Sequence, residues 1–400
     1  MSYSKIVFTP LSHVGWGSLE QLLPEVKKYD VSRILVVTDP VLVKIGLVKQ
    51  VVEPLVDEGY FVSIYEDVVP EPPLETGEKL VAYTREGSYE LVIGVGGGSA
   101  LDLAKLAAVL ADNEGYVSDY LNLTGSKTIK NKGLPKIVIP TTSGTGSEVT
   151  NISVLSLETT KDVVSHDYLI ADVAIVDPSL TVSVPPRVTA ATGIDALTHA
   201  IEAYLSVQAS PTTDGLALQA IKLISHSLRR AVANGDDQEA RTEMSQGSYI
   251  AGLAFFNAGV GGVHALAYPL GGQFHISHGE SNAVLLPYVM EYIRESCTKK
   301  MTEIVAAMGV PIHSLSEDEA SLRLVEELHT FVKDVGIPST LTEFAIPENA
   351  IGKLTDDAVK QSRLLARSPL PLEKEDIRKI YEAAFSGRKH EELDNVQNNN

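Results

Sequence analysis

Short aliphatic and β-branched runs alternate with helical stretches through the first half of the chain. Ile34–Val37, Phe61–Tyr65, Leu91–Val95, Lys136–Ile139 and Val173–Val176 predict strands. The stretches near Ser18–Lys28, Pro40–Glu58, Thr76–Glu86 and Ala100–Asp112 predict helices between them. Alternation of this kind builds a parallel sheet. Runs that are apolar at almost every position suit strands covered on both faces.

Beyond about Pro186 the strand pattern stops. Ala217, Ile221, Ile224 and Leu228 repeat at helical spacing, and similar stripes continue toward the end. The segment VDPSLTVSVPPRV, with two adjacent prolines, marks the change. The pattern predicts an N-terminal parallel α/β domain over residues 1–185, where a dinucleotide site would lie at the sheet edge, and an all-helical domain over 186–400. No internal repeat is visible. The polar stretch Arg388–Asn400 reads as a frayed tail.

A chain of 400 residues is long for one core, which agrees with two domains. The composition is globular, at 44% hydrophobic and 21% charged. The net charge of −19 repels phosphate backbones and anionic bilayers, so neither nucleic acid nor membrane is expected as a partner. A nucleotide must then be held by local groups such as backbone N–H donors. Cys297 is the single cysteine, so no Cys-based zinc site and no intrachain disulfide can form. That suits a reducing, cytoplasmic setting. The N-terminal residues do not read as a secretory signal, and no apolar run has the length of a bilayer span.

Two loops carry candidate nucleotide chemistry. LVIGVGGGSALDLAK passes from a strand into a helix. Gly97 and Gly98 let backbone approach a pyrophosphate, and Ser99 and the next N–H groups open the helix toward it. The competing reading is a tight turn. The triplet follows a later strand than the first, which disfavours an ordinary Rossmann dehydrogenase. PTTSGTGSEVT also follows a strand and offers Thr141, Thr142 and Ser147 as donors. Both loops point to one crevice at the carboxyl edge of the sheet. Asp39 ends the ILVV strand, where a carboxylate can bind a ribose and repel a 2′-phosphate, favouring NAD over NADP. A plain turn aspartate before Pro40 fits equally. Asp102, on the helix after the glycines, completes this candidate set.

In ATGIDALTHAIEAY, Asp195 and His199 are four apart and share a helix face. Downstream, His264 and His278 lie among glycines that let two passes of chain converge. Three imidazoles and a carboxylate suit iron(II) or zinc. A D-x-x-x-H pair also fits a surface ion pair.

The ordered motifs GGGSALDLAK, PTTSGTGSEVT, VDPSLT, ATGIDALTHAIEAY, HALAYPLGG and HGESNAVLLP resemble those of the iron-containing (type III) alcohol dehydrogenases, over most of the chain. The resemblance implies a dinucleotide domain followed by a helical domain. It implies Asp195, His199, His264 and His278 as ligands of one metal, Fe2+ with Zn2+ as the alternative. It places Asp39, Gly97, Gly98, Ser99, Thr141, Thr142 and Lys161 at NAD. It implies a homo-oligomer, most simply a dimer, acting on a small alcohol or aldehyde. His264 and His278 would serve catalysis through the metal, and His275 is a candidate for a proton relay. Tyr268 stands where many relatives carry histidine, and the N-terminal turn reads GWGS. The alternatives are a hydroxyacid–oxoacid transhydrogenase, a dehydroquinate-synthase-like enzyme, or a non-enzymatic binding module.

Overall fold

A computed structural model describes residues 4–158 and 161–387. The tail reading at Arg388–Asn400 lies outside these residues. The chain divides into two compact units, one over Val7–Val184 and the other beginning at Pro185.

The first unit is built on a six-stranded, all-parallel sheet. Its strands are β1 (Ser12–Val14), β2 (Arg33–Val37), β3 (Phe61–Tyr65), β4 (Leu91–Gly96), β5 (Lys136–Pro140) and β8 (Val173–Val176). Their spatial order is β1-β8-β5-β4-β2-β3. Successive side chains of a strand enter opposite layers, as the period of two requires. Leu35, Val37 and Val92 pack with the Leu74–Glu86 and Gly98–Leu110 helices. Ile34, Val36, Leu91, Ile93, Ile137 and Ile139 pack on the other face, with the Lys49–Asp57 helix.

The chain leaves β2 for β3 on one side and returns to β4 on the other. The order therefore reverses between β2 and β4. Such a reversal splays the loops at the carboxyl ends and opens a crevice there. Asp39 follows β2, Gly97 follows β4 and Thr141 follows β5, so the three loops are neighbours.

All five strands expected from the sequence form. The edge strand β1 and the antiparallel hairpin of β6 (Ile152–Ser156) and β7 (Lys161–Ser165) were not foreseen. Ser-His-Val has no apolar run, and β1 exists only by pairing with β8. The single helix expected over 40–58 is two, Pro40–Lys44 and Lys49–Asp57. Gly46, at φ 79°, breaks it.

Every regular element among the second unit's described residues is a helix. Its centre is Pro186–Leu205, buried along almost its whole length from Thr189. The Pro211–Ala233, Gln238–Ala258 and His278–Ile293 helices pack around it. The stripe Ala217, Ile221, Ile224, Leu228 is fully buried there. Close packing depends on two glycines of the central crossing. A Cβ on Gly193 would stand 2.3 Å from Leu228 Cδ1, and one on Gly279 would stand 2.2 Å from the Ala191 carbonyl oxygen.

Candidate metal centre and nucleotide loops

Among the described residues, Asp195, His199, His264 and His278 form one group able to share an ion, with ligand atoms all within 4.8 Å of one another. Asp195 and His199 face the same way from the Pro186–Leu205 helix. His264 lies in the first turn of Gly262–Phe274, and His278 opens His278–Ile293. From Asp195 Oδ1, the Nε2 atoms of His199, His264 and His278 are 3.8, 3.8 and 3.6 Å away. Donors around a tetrahedral ion at about 2.1 Å are themselves about 3.5 Å apart, close to these spacings.

The surroundings orient these groups. Glu202 Oε2 lies 2.5 Å from His264 Nδ1 and Glu202 Oε1 accepts the Val263 N–H at 2.6 Å. Asn282 Nδ2 donates to Asp195 Oδ1 at 2.7 Å and lies 3.2 and 3.3 Å from the Nε2 atoms of His264 and His278. One amide has two hydrogens for these three acceptors. Buried acceptors left short of donors are what a cation satisfies, so the donor set fits a divalent metal. Asn282 Oδ1 is itself buried without a hydrogen bond. Burial works to raise the Asp195 carboxyl, but the imidazoles of His199, His278 and His264 outweigh it and hold the group below its usual value.

Aromatic rings flank the ligands. Phe255 stacks on His199 at 4.2 Å, and Tyr268 lies 5.9 Å from the His278 ring. Asp195, His199 and His264 are buried, whereas the His278 side chain is 26% exposed and forms the open flank. His275 is outside the ligand group. It is exposed at the left-handed end of the Gly262–Phe274 helix, with φ 55°.

At the sheet edge, Gly97 and Gly98 meet the second loop directly. A Cβ on Gly98 would lie 2.7 Å from Thr145 Cγ2, and one on Gly97 would lie 3.6 Å from Thr142 Oγ1. Gly97 precedes the helix without a side-chain cap, so its first N–H groups stay available. Ser99 and Thr142 are partly exposed, and Thr141 is buried. Asp39 caps the next short helix, its Oδ1 accepting from Val41 and Leu42 at 2.9 and 3.1 Å. Its Oδ2 would lie 3.6 Å from a Cβ on Gly96. The turn role and a place beside the glycines therefore coexist.

Asp102 and Ser147 are buried and bonded to each other, and Asp102 Oδ2 accepts the Val154 N–H at 3.0 Å. The buried Lys161 ammonium is ion-paired with Glu71. Cys297 is buried, and burial pushes its thiol up to about 11, which makes it a poor nucleophile.

Sequence reasoning missed Glu202 and Asn282. Their signal was present: Glu202 lies seven after Asp195 and Asn282 four after His278, both helical repeats of a ligand position.

Two family models divide the chain between them. Iron-containing alcohol dehydrogenase matches residues 10–178, and the C-terminal domain of the Fe-containing alcohol dehydrogenase family matches residues 189–385. The chain belongs to the iron-containing alcohol dehydrogenase family. It is 74% identical over 387 residues to the long-chain-alcohol dehydrogenase 1 of Geobacillus thermodenitrificans, covering 97% of this chain and 98% of the relative. It is 34% identical to the lactaldehyde reductase of Escherichia coli K12, covering 96% and 100% of the two chains. A solved 1,3-propanediol oxidoreductase superposes with a TM-score of 0.92 at 34% identity, over 96% of this chain and 100% of that one. This iron-type alcohol dehydrogenase is thus an oxidoreductase of alcohols or diols and their aldehydes, and its family implies a metal and NAD. Among the described residues no single helix is long and apolar enough to cross a membrane.

Proposed function

We propose that the enzyme interconverts primary alcohols and aldehydes with NAD(H), using Fe2+ held by Asp195, His199, His264 and His278, with Zn2+ as the alternative ion. The observation that carries this reading is the four-donor cluster itself, buried except on its His278 flank. When bound, such a cation supplies Lewis acidity that acidifies an alcohol hydroxyl and polarises a carbonyl.

The protein's own groups do the rest. Asp195, His199 and His264 grip from the buried side, while the more open His278 flank leaves room for substrate. Phe255 and Tyr268 keep water from the ligands. His275, three residues before His278 and exposed, passes a proton to solvent. Asp39, Gly97, Gly98, Ser99, Thr141, Thr142 and Lys161 contact the dinucleotide, and Asp102 and Ser147 belong to the same site through the loops they brace. The identity to a long-chain-alcohol dehydrogenase extends the proposed substrates from small alcohols to long alkyl ones. A homodimer in a reducing cytoplasm completes the proposal.

The test is NADH formation by anaerobically iron-reconstituted protein with alcohols from ethanol to hexadecanol, and with diols. Turnover is expected, together with its loss and loss of metal in His264→Ala of unchanged circular dichroism. No NADH with any alcohol, but hydride exchange between a hydroxyacid and an oxoacid on a retained nicotinamide, overturns the reading in favour of a transhydrogenase.

A further inference from the structure

Glu202 is a buried carboxylate that the ligand set does not use. It follows Asp195 and His199 on one face of the Pro186–Leu205 helix. Its two oxygens point to two adjacent residues of another helix. Oε1 accepts the Val263 N–H at 2.6 Å, and Oε2 lies 2.5 Å from His264 Nδ1. Gly261, the N-cap of that second helix, has no side chain to cap it. Glu202 therefore caps it from outside, at the second helical position where a capping oxygen normally binds.

We propose that Glu202 is a positioning residue of the metal site, fixing which nitrogen of His264 is bare. This rests on the four-ligand reading. A carboxylate has no hydrogen to give, so the contact to Nδ1 requires Nδ1–H as donor. The lone pair is then on Nε2, the atom 3.8 Å from Asp195 Oδ1. Glu202 selects the tautomer, sets the ring plane and raises the basicity of Nε2. It also adds a second negative charge to that of Asp195, so the two carboxylates together balance a divalent ion.

Glutamine cannot do both tasks. If its oxygen accepts from Val263, its amide N–H meets Nδ1, which must become the acceptor and send the imidazole proton to Nε2. If its oxygen faces Nδ1–H, its NH2 opposes the Val263 N–H, donor against donor.

Cobalt(II) binding to full-length, metal-free protein, measured by chelator competition and by the visible cobalt spectrum, tests this. Glu202→Gln is expected to bind cobalt about 10–100-fold more weakly, with an altered spectrum, and Glu202→Asp to recover part of the loss. In the zinc-loaded parent, histidine 15N NMR is expected to read His264 as protonated at Nδ1, a measurement that needs no variant to fold. Protonation at Nε2, or cobalt affinity in Glu202→Gln within twofold of the parent, overturns the proposal. Cobalt lost from His264→Ala but kept by Glu202→Gln overturns it alone. Cobalt retained by His264→Ala overturns the four-ligand site as well.

Discussion

The Lys105 ammonium, with no exposure to solvent, donates to the carbonyl oxygen of Ser147 at 2.9 Å. It also reaches the Ile152 carbonyl at 2.7 Å, Thr150 Oγ1 at 3.2 Å and Asp102 Oδ1 at 3.0 Å. One buried cation thus ties the helix after the glycine turn to the loop after β5. Lys105→Met keeps the length and removes the charge. It leaves Asp102 buried beside uncompensated carbonyls, and breaking such an arrangement costs about 3–5 kcal/mol. Urea unfolding should show a loss of that order, and NAD titration a weaker affinity. An unchanged urea midpoint would remove Lys105 from this role.

The same loop carries a titrating group. Burial pushes Glu148 up to about 7, although its own backbone N–H and Lys105 pull the other way. A carboxyl raised in the folded state contributes stability that is fully present below its unfolded value. That stability is lost as pH rises toward 7, by an amount on the order of 3 kcal/mol. Glu148→Gln should flatten stability between about pH 4.5 and 7 and exceed the parent above that range. Parallel stability–pH curves for the two proteins would discard the assignment.

The spacing of the proposed metal ligands depends on a glycine. His278 is followed by Gly279, where a Cβ would lie 2.2 Å from the Ala191 carbonyl oxygen of the helix carrying Asp195 and His199. Backbone cannot swing aside as a side chain does, so Gly279→Ala must push the two helices apart. We expect metal content to fall at least tenfold and stability to drop by about 1–3 kcal/mol, as overpacking does. Metal analysis after dialysis checks the first effect and thermal melting the second.

Asp39 is both a helix cap and a neighbour of Gly96. Replacing a capping residue by glycine costs only a few tenths of a kcal/mol. Asp39→Gly should therefore leave stability almost unchanged while improving kcat/KM for NADP relative to NAD, on the order of tenfold, by removing the charge proposed to face the ribose. Unaltered cofactor preference would leave Asp39 as a cap alone.

Much of the site was legible because its chemistry is local in sequence. The D-x-x-x-H pair and the glycine turn are short motifs, and helix periodicity placed Asp195 and His199 on one face. Glu202 was harder to read, since its partners Val263 and His264 are some sixty positions away. Asn282 likewise acquires meaning only when two other chain passes, carrying Asp195 and His264, converge on it. In Asp102 and Ser147, motif membership pointed to the nucleotide, whereas the fold joins the two to each other.

By itself the sequence determined the five apolar strands, the helical second half and the donor types of the candidate metal site. Periods of two and 3.6 arise from each residue's neighbours along the chain, and donor identity is written in the side chains. Only the tertiary structure decided the strand order that reverses between β2 and β4, the edge strand that exists through its partner, and the distances within the donor cluster. These depend on contacts between residues far apart in the chain, such as Gly279 against Ala191, whose geometry no local pattern contains.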